Sequence, residues 1–306
     1  MRRTQEQLQE QAHALPFASV IVPVYNDAAR LTLCLEALAV QDYPAFEVIV
    51  VDNGSADDGV ARVCEAFGVT CVVEPKVGSY AARNRGASLA EGEVLAFTDA
   101  DCIPEVQWLR EGVTRFLETP RCGLVAGRIR VFAHDPARPT TVELFEVALA
   151  FPQKTHVENS RYGATANVFT SRVVFADVGP FDERLKSGGD KQWGQRVAAA
   201  GYALVYAHGA CIRHPARRTF AELRKKARRT VGGLRDTDAG WTMAAMLLKE
   251  YLKPPVKLSL EVLRDDRHGL SLSQKVRVCA VASAARLISA AETVRFWTRR
   301  APSARA

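Results

Sequence analysis

The sequence has no C-x-x-C pair, although seven cysteines are scattered along it: Cys34, Cys64, Cys71, Cys102, Cys122, Cys211 and Cys279. An odd number without paired spacing argues against a zinc ribbon or a disulfide framework and fits a reducing compartment. No stretch reaches the ~18 apolar residues of a membrane-spanning helix. The nearest, Val276 to Ile288, is broken by Arg277 and Arg286. The start, Met1-Arg2-Arg3-Thr4-Gln5-Glu6-Gln7, stays polar to about His13 and lacks the apolar core of a signal peptide. Also missing are a G-x-x-x-x-G-K-[ST] loop and a G-x-G-x-x-G after the first apolar run, the usual glycine cradles for phosphate. There is no internal repeat and no low-complexity tract. These absences lead us to expect a cytoplasmic protein, with peripheral attachment to the inner face of the membrane open to it.

What is present is an ordinary globular composition. The chain has 306 residues, 48% hydrophobic and 25% charged, with 20 glycines and 14 prolines. That excludes collagenous and disordered classes and suffices for one large α/β domain, or a domain with an appendage. The net charge of +7 is unevenly spread. Residues 1–210 hold 20 Lys/Arg and 26 Asp/Glu, a net of −6, whereas residues 211–306 hold 21 and 8, a net of +13. A mildly acidic body with a basic tail suggests an anionic partner, a membrane surface or a nucleic acid.

The first hundred residues alternate short β-rich runs with helical stretches. Ser19 to Val24, Phe46 to Val51, Val69 to Val73 and Glu93 to Thr98 read as strands. Ala28 to Val40, Ala56 to Phe67 and Ser79 to Ala90 read as the helices between them. Such alternation predicts a mainly parallel sheet with helices on its faces. Ligands of such sheets sit at the carboxyl ends of the strands. Those ends read Val24-Tyr25-Asn26-Asp27, Val51-Asp52-Asn53-Gly54-Ser55, Glu74-Pro75-Lys76 and Thr98-Asp99-Ala100-Asp101. The middle, about 120–215, is less regular, with strand-like runs at Gly123 to Val131 and Tyr202 to Tyr206. From about Ala216 the pattern is helical and basic: Thr219 to Val231, Trp241 to Leu252, a stop at Pro254-Pro255, then Leu272 to Thr298.

With no glycine cradle, a nucleotide's phosphates need another counter-charge. Asp99 and Asp101, one residue apart at a strand end, could hold a hard divalent cation, and the cation a diphosphate. Alone, the pair would read as a solvated acidic turn.

It does not stand alone. Val20-Ile21-Val22-Pro23-Val24-Tyr25-Asn26, Gln41-Asp42-Tyr43-Pro44, Glu47-Val48-Ile49-Val50-Val51-Asp52-Asn53-Gly54-Ser55, Ala81-Ala82-Arg83-Asn84-Arg85-Gly86 and Phe97-Thr98-Asp99-Ala100-Asp101 follow in order. With them the chain resembles the family 2 glycosyltransferases of the GT-A fold. The likeness continues through Gly179-Pro180-Phe181-Asp182-Glu183 and Ser187-Gly188-Gly189-Asp190-Lys191-Gln192-Trp193 to Arg213-His214-Pro215. It implies a catalytic domain over 18–218, after a polar lead at 1–17 and before a basic amphipathic helical region at 219–306.

The resemblance implies an inverting transfer from a nucleotide-diphosphate sugar to a glycan or lipid-linked acceptor, as in cell-envelope polysaccharide synthesis. Pro23, Tyr25, Asn26 and Asp52 would grip the nucleoside, and Arg83, Asn84, Lys76, Asp99 and Ala100 would complete the donor site. Asp101, assisted by Asp99, would anchor Mn²⁺ or Mg²⁺. His214 is preferred over His208 as a further ligand. Asp190 would be the catalytic base, although many relatives carry Glu-Asp where this chain has Gly189-Asp190. Asn167 would touch an acceptor hydroxyl. Trp193 would wall the acceptor site or belong to the core. The Gln-x-x-Arg-Trp signature of processive synthases is missing, which favours single-residue transfer.

Two other readings compete. One is a catalytically inactive GT-A-like protein whose basic tail holds membrane or nucleic acid; the retained Asp52, Asp99, Asp101 and Asp190 speak against it. The other is a nucleotidyltransferase, which would need a glycine-rich loop after the first strand. Nucleic acid thereby becomes the lesser partner and an anionic membrane the preferred one. The remaining alternative for the tail is helices packed on the catalytic domain with their Lys and Arg solvated.

Overall fold

The computed structural model describes residues 15–235, 241–266 and 268–299. The polar lead therefore lies outside the described residues except for 15–17, as do the last residues of the basic region. The described chain forms two compact units. The first holds the residues up to Ile129 together with Gln153–Asp182 and Asp190–Arg213. The second holds Arg130–Pro152, Glu183–Gly189 and the chain from His214 onward. The second thus takes in stretches that the sequence pattern groups with the catalytic part.

The core is an eight-stranded sheet of order β3-β2-β1-β4-β7-β6-β8-β5. Its strands are β1 (Ala18–Val24), β2 (Phe46–Asp52), β3 (Thr70–Val73), β4 (Val94–Thr98), β5 (Ile103–Pro104), β6 (Cys122–Phe132), β7 (Asn167–Ser171) and β8 (Ala203–Pro215). The first four are parallel, with β1 paired to both β2 and β4. β7 runs antiparallel to β4 and β6, and β5 antiparallel to β8. Val20, Ile21 and Val22 are wholly buried, as expected of a strand covered on both faces.

Helices α1 (Ala28–Ala39), α2 (Gly59–Phe67) and α3 (Ser79–Leu89) make the crossovers. α1 buries Leu31, Cys34, Leu35 and Leu38, an i, i+3, i+4, i+7 stripe. α3 lies so close on β1 that a Cβ at Gly86 would stand 2.5 Å from Ile21 Cγ2. The chain leaves β1 toward β2 and β3, then returns on the other side of β1 as β4. The crevice at the carboxyl ends of β1 and β4 is therefore a topological switch point, where doubly wound sheets bind ligands.

The expected strands and helices of the first hundred residues are present, displaced by no more than three residues at their ends. The strand at β7 was not legible. Its residues are buried on both faces, so no alternation marks it. Helices α4 (Trp108–Glu118), α5 (Thr141–Leu149), α6 (Gln153–Ser160), α7 (Arg172–Val178) and α8 (Gly189–Ala199) complete the middle of the chain.

In the second unit, α9 (Phe220–Arg235), α10 (Trp241–Leu252), α11 (Val256–Arg264) and α12 (Leu272–Arg299) follow one another. The double proline ends α10 as expected, but Pro255 also serves as the N-cap residue of α11. Val142 packs with Leu223 and Val281, and Leu144 with Val262 and Val278. The basic residues of 217–228 are not simply solvated. Glu146, fully buried on α5, takes Arg217 at 2.7 Å and Lys226 at 3.2 Å, and buried Glu292 on α12 takes Arg224 at 2.6 Å. Burial opposes the ionisation of Glu146, yet Lys226 and Arg217 outweigh it and hold the carboxyl below its ordinary range. Much of the positive charge on α9 is thereby spent inside the unit. Among the described residues no helix is long and apolar enough to cross a membrane.

Candidate active site

Four strand ends and the starts of α3 and α8 build the site. After β1, Asn26 takes a positive φ of 50°, a conformation asparagine tolerates better than most residues. Its Oδ1 accepts from Ala56 N at 2.8 Å, and its own N–H donates to Ser55 Oγ at 2.9 Å. Asn26 therefore ties the β1 and β2 loops together, and Tyr25 beside it is exposed. Asp52 Oδ1 accepts from Ser55 N at 2.9 Å and Ser55 Oγ at 2.7 Å, closing an Asx-type turn. Pro23 lies opposite Val51 in the parallel register, one residue before the Val24–Asp52 pair.

Asn53, just past the end of β2, is buried. Its amide donates to the carbonyls of Glu74 and Lys76, at 3.0 and 2.8 Å, and its Oδ1 accepts from Gly78 N. It anchors the loop that carries Lys76, whose side chain is exposed at the rim.

The first turns of α3 supply the charged centre. Arg83 is buried, and its Nη2 donates to Asp99 Oδ1 in an ion pair; its guanidinium lies 5.8 Å from the centre of the Tyr80 ring. Asp101 meets Arg30 at 3.5 Å, and Arg30 also pairs with Asp27 at 3.0 Å. Ala100 is buried between the two acids, and the turn is closed by Cys102 N–H donating to Asp99 O at 3.0 Å. Cys34 and Cys102 flank the motif, buried; desolvation, and then the negative charge of Asp101 and Asp99, pushes both thiols up. They remain protonated there.

Asp190 lies in the first turn of α8. The Tyr80 hydroxyl donates to its Oδ1 at 3.3 Å and accepts from its backbone N–H at 3.2 Å. Burial pushes the Asp190 carboxyl above its ordinary range, against the opposing pull of the Lys191 N–H, Arg83 and Tyr80. Tyr162, another residue sequence reasoning passed over, is pushed up to about 12 by burial and by the charge of Asp190. It stacks on His156 at 4.5 Å. Nothing in residue type or spacing marks either one.

Three of the candidate residues have internal partners. Asn84 pairs its amide with the Phe181 backbone, at 2.9 Å in each direction, so it braces the loop before α8. Asn167 is 0% exposed. Its Oδ1 accepts from Trp108 Nε1, and its Nδ2 donates to Arg128 O and Ala210 O, which makes it a staple within the sheet. Trp193, 1% exposed, donates to Gly179 O and packs against Phe175 and Phe181. Of the two roles open to it, core is the one observed.

Of the two histidines, His208 is exposed, with Arg128 Nη1 at 3.1 Å from its Nε2. His214 is buried against Phe151, with Nδ1 2.8 Å from Pro215 O. A carbonyl only accepts, so in that bond Nδ1 is the donor. The β5–β8 register sets Arg213 opposite Ile103, and His214 is the next residue along β8.

A parallel sheet with an acidic strand-end motif, a switch-point crevice and a carboxylate at a helix start defines the GT-A class of glycosyltransferases, and solved structures bear out that fold. A mannosyltransferase of Pyrobaculum calidifontis in complex with GDP-Man and Mn2+ superposes with a TM-score of 0.56 at 21% identity, covering 94% of this chain and 83% of that one. Residues 1–349 of Staphylococcus aureus TarS superpose with a TM-score of 0.52 at 19% identity, covering 92% and 74%. In sequence, residues 19–178 match the model of glycosyl transferase family 2. The glycosyltransferase AglE of Haloferax volcanii is 37% identical over 305 residues, 93% of this chain and 97% of that protein. The pre-mycofactocin glycosyltransferase of Mycobacterium tuberculosis is 31% identical over 207 residues, 64% of this chain and 42% of that one. The chain belongs to glycosyl transferase family 2 and is a glycosyltransferase.

Proposed function

We propose that this enzyme moves one sugar from a nucleotide-diphosphate sugar to a glycan or lipid-linked acceptor at the cytoplasmic face of the membrane, with inversion. One observation carries the reading: Tyr80 holds Asp190, and the same tyrosine underlies Arg83, which is paired with Asp99. A base carboxylate and the acidic motif are thus linked by two side chains of one helical turn.

Asp52 turns Oδ1 to its own loop, so recognition of the base or ribose falls to Oδ2. Pro23 and Tyr25 shape the floor beside it, and Lys76 reaches the phosphates from the rim. Asp99 and Asp101 would hold the cation through hard oxygens and His214 would add one imidazole, donors that suit Mn²⁺ or Mg²⁺. A fold relative solved with GDP-Man and Mn2+, and TarS solved with UDP, support a donor and a cation of this kind. When bound, such a cation supplies Lewis-acid stabilisation of the departing diphosphate.

Asp190 takes the proton of the acceptor hydroxyl as its oxygen bonds to the anomeric carbon. The bond from that carbon to the donor phosphate breaks on the opposite face, so the centre inverts. Burial makes Asp190 a stronger base than an exposed carboxylate, and a base so placed contributes about 10²–10⁴-fold.

The test is a panel of nucleotide sugars, read by thermal stabilisation and by sugar consumption with and without Mn²⁺ or Mg²⁺. A true donor raises the melting temperature only with the cation present. Asp190→Asn keeps that stabilisation and loses turnover. Undiminished transfer by Asp190→Asn would remove the base assignment.

A further inference from the structure

The basic tail suggested an anionic partner, but the ion pairs of Arg217, Arg224 and Lys226 with buried glutamates leave 217–228 a poor candidate for the contact. α11 is different. Val262 turns inward onto Leu144 and Val278. On the outward side Val256, Leu260 and Leu263 are 61%, 46% and 37% exposed, and Leu252, just before the helix, is 62% exposed. At 3.6 residues per turn the three α11 side chains fall within an arc of about 60°. Lys257 and Arg264 border that arc on one side, both exposed, and among the described residues neither has an acidic partner.

We propose that this outward face of α11 is the surface by which the enzyme seats on a bilayer containing anionic lipids. Val256, Leu260 and Leu263 enter at headgroup depth while Lys257 and Arg264 extend to the lipid phosphates, as long cationic side chains do at interfaces. The face is one short helix long, and the two charges nearest the apolar arc, Lys257 and Arg264, share one sign, with exposed Glu261 further round the helix. A two-fold contact with a second copy would set Lys257 and Arg264 against themselves, which disfavours self-association. Nucleic acid would reward the two cations but not the apolar stripe beside them. The inference rests on the membrane-face reading above and narrows it to named residues.

The experiment is flotation of the full chain with vesicles of phosphatidylcholine alone, and with phosphatidylglycerol added. The expected result is binding only with the anionic lipid, weakening as salt rises. Lys257→Glu with Arg264→Glu lowers partitioning by about fivefold or more for each charge. Leu260→Ser with Leu263→Ser lowers it on the order of tenfold, while sugar consumption without vesicles stays unchanged in both variants. Wild-type binding that both variants retain in full would overturn this face and leave the membrane reading standing. No flotation of the wild type with either vesicle would overturn both. Variant-sensitive binding to DNA or RNA, or a variant-sensitive dimer, without vesicle binding would likewise overturn it.

Discussion

The Tyr80 hydroxyl stands 3.3 Å from Asp190 Oδ1 and 3.2 Å from the Asp190 backbone nitrogen, so one phenol fixes both the carboxylate and the helix end that carries it. The bond opposes the effect of burial on Asp190. Tyr80→Phe removes it. The acid limb of the kcat profile is expected to move to higher pH, with the donor KM within about twofold of wild type, since the lost bond touches the base alone. An unmoved limb would remove Tyr80 as a positioning residue.

Asp190 itself makes a prediction with a definite sign. Its folded-state pKa is raised, so the native protein binds its proton more readily than the unfolded chain does. Stability is therefore lost as pH rises through the folded pKa. Asp190→Asn should accordingly be inactive yet melt at least about 2 °C higher at neutral pH. Differential scanning calorimetry at acid and neutral pH checks this, the gain shrinking on the acid side.

Arg83 neutralises Asp99 from a buried position. Arg83→Ala strands that carboxylate and is expected to cost about 1–3 kcal/mol in urea denaturation. Nucleotide-sugar affinity should fall as well. Arg83→Lys recovers stability only in part, because an ammonium does not reproduce the guanidinium fork.

Asn167 divides the sheet-staple role from an acceptor contact. Asn167→Ala removes its bonds to Trp108, Arg128 and Ala210 and should cost about 3 kcal/mol in chemical denaturation. At a temperature where the variant is folded, the acceptor KM should be unchanged. A raised acceptor KM with unaltered stability would restore the contact role.

Glu146 tests the internal charge network of the second unit. Glu146→Ala leaves Lys226 and Arg217 without their buried partner, and a loss of about 3 kcal/mol is expected. The Glu146 pKa is depressed, so its contribution is present above the unfolded carboxylate range and lost as pH falls through the folded value. The wild type should therefore lose stability toward acid pH more steeply than the alanine variant.

Much of the candidate site could be placed in order along the chain. Asp52, Asp99, Asp101 and Asp190 carry their chemistry in residue type, and strand-end position follows from the βα alternation. Asn84 and Asn167 were expected at a ligand and Trp193 was left open, because a polar or aromatic side chain reads alike whether it faces a ligand or the interior. Only partners 14 to 97 residues away, such as Phe181 for Asn84 or Trp108 for Asn167, decide which. Tyr80 and Tyr162 were missed for the converse reason: their importance is proximity to Asp190, which has no local signature.

The amino-acid order by itself determined the parallel sheet, the acidic motif at its switch point and the lopsided charge, because each depends on periodicity or residue type within a short window. The tertiary structure alone decided where that charge goes. Glu143, Glu146 and Glu292 lie far from the basic run in sequence, and packing α5 and α12 around α9 and the residues just before it buries them against the arginines and lysine of 217–228. A net charge counts ions wherever they are; an electrostatic surface keeps those that folding leaves without a partner, and among the described residues of α11 these include Lys257 and Arg264.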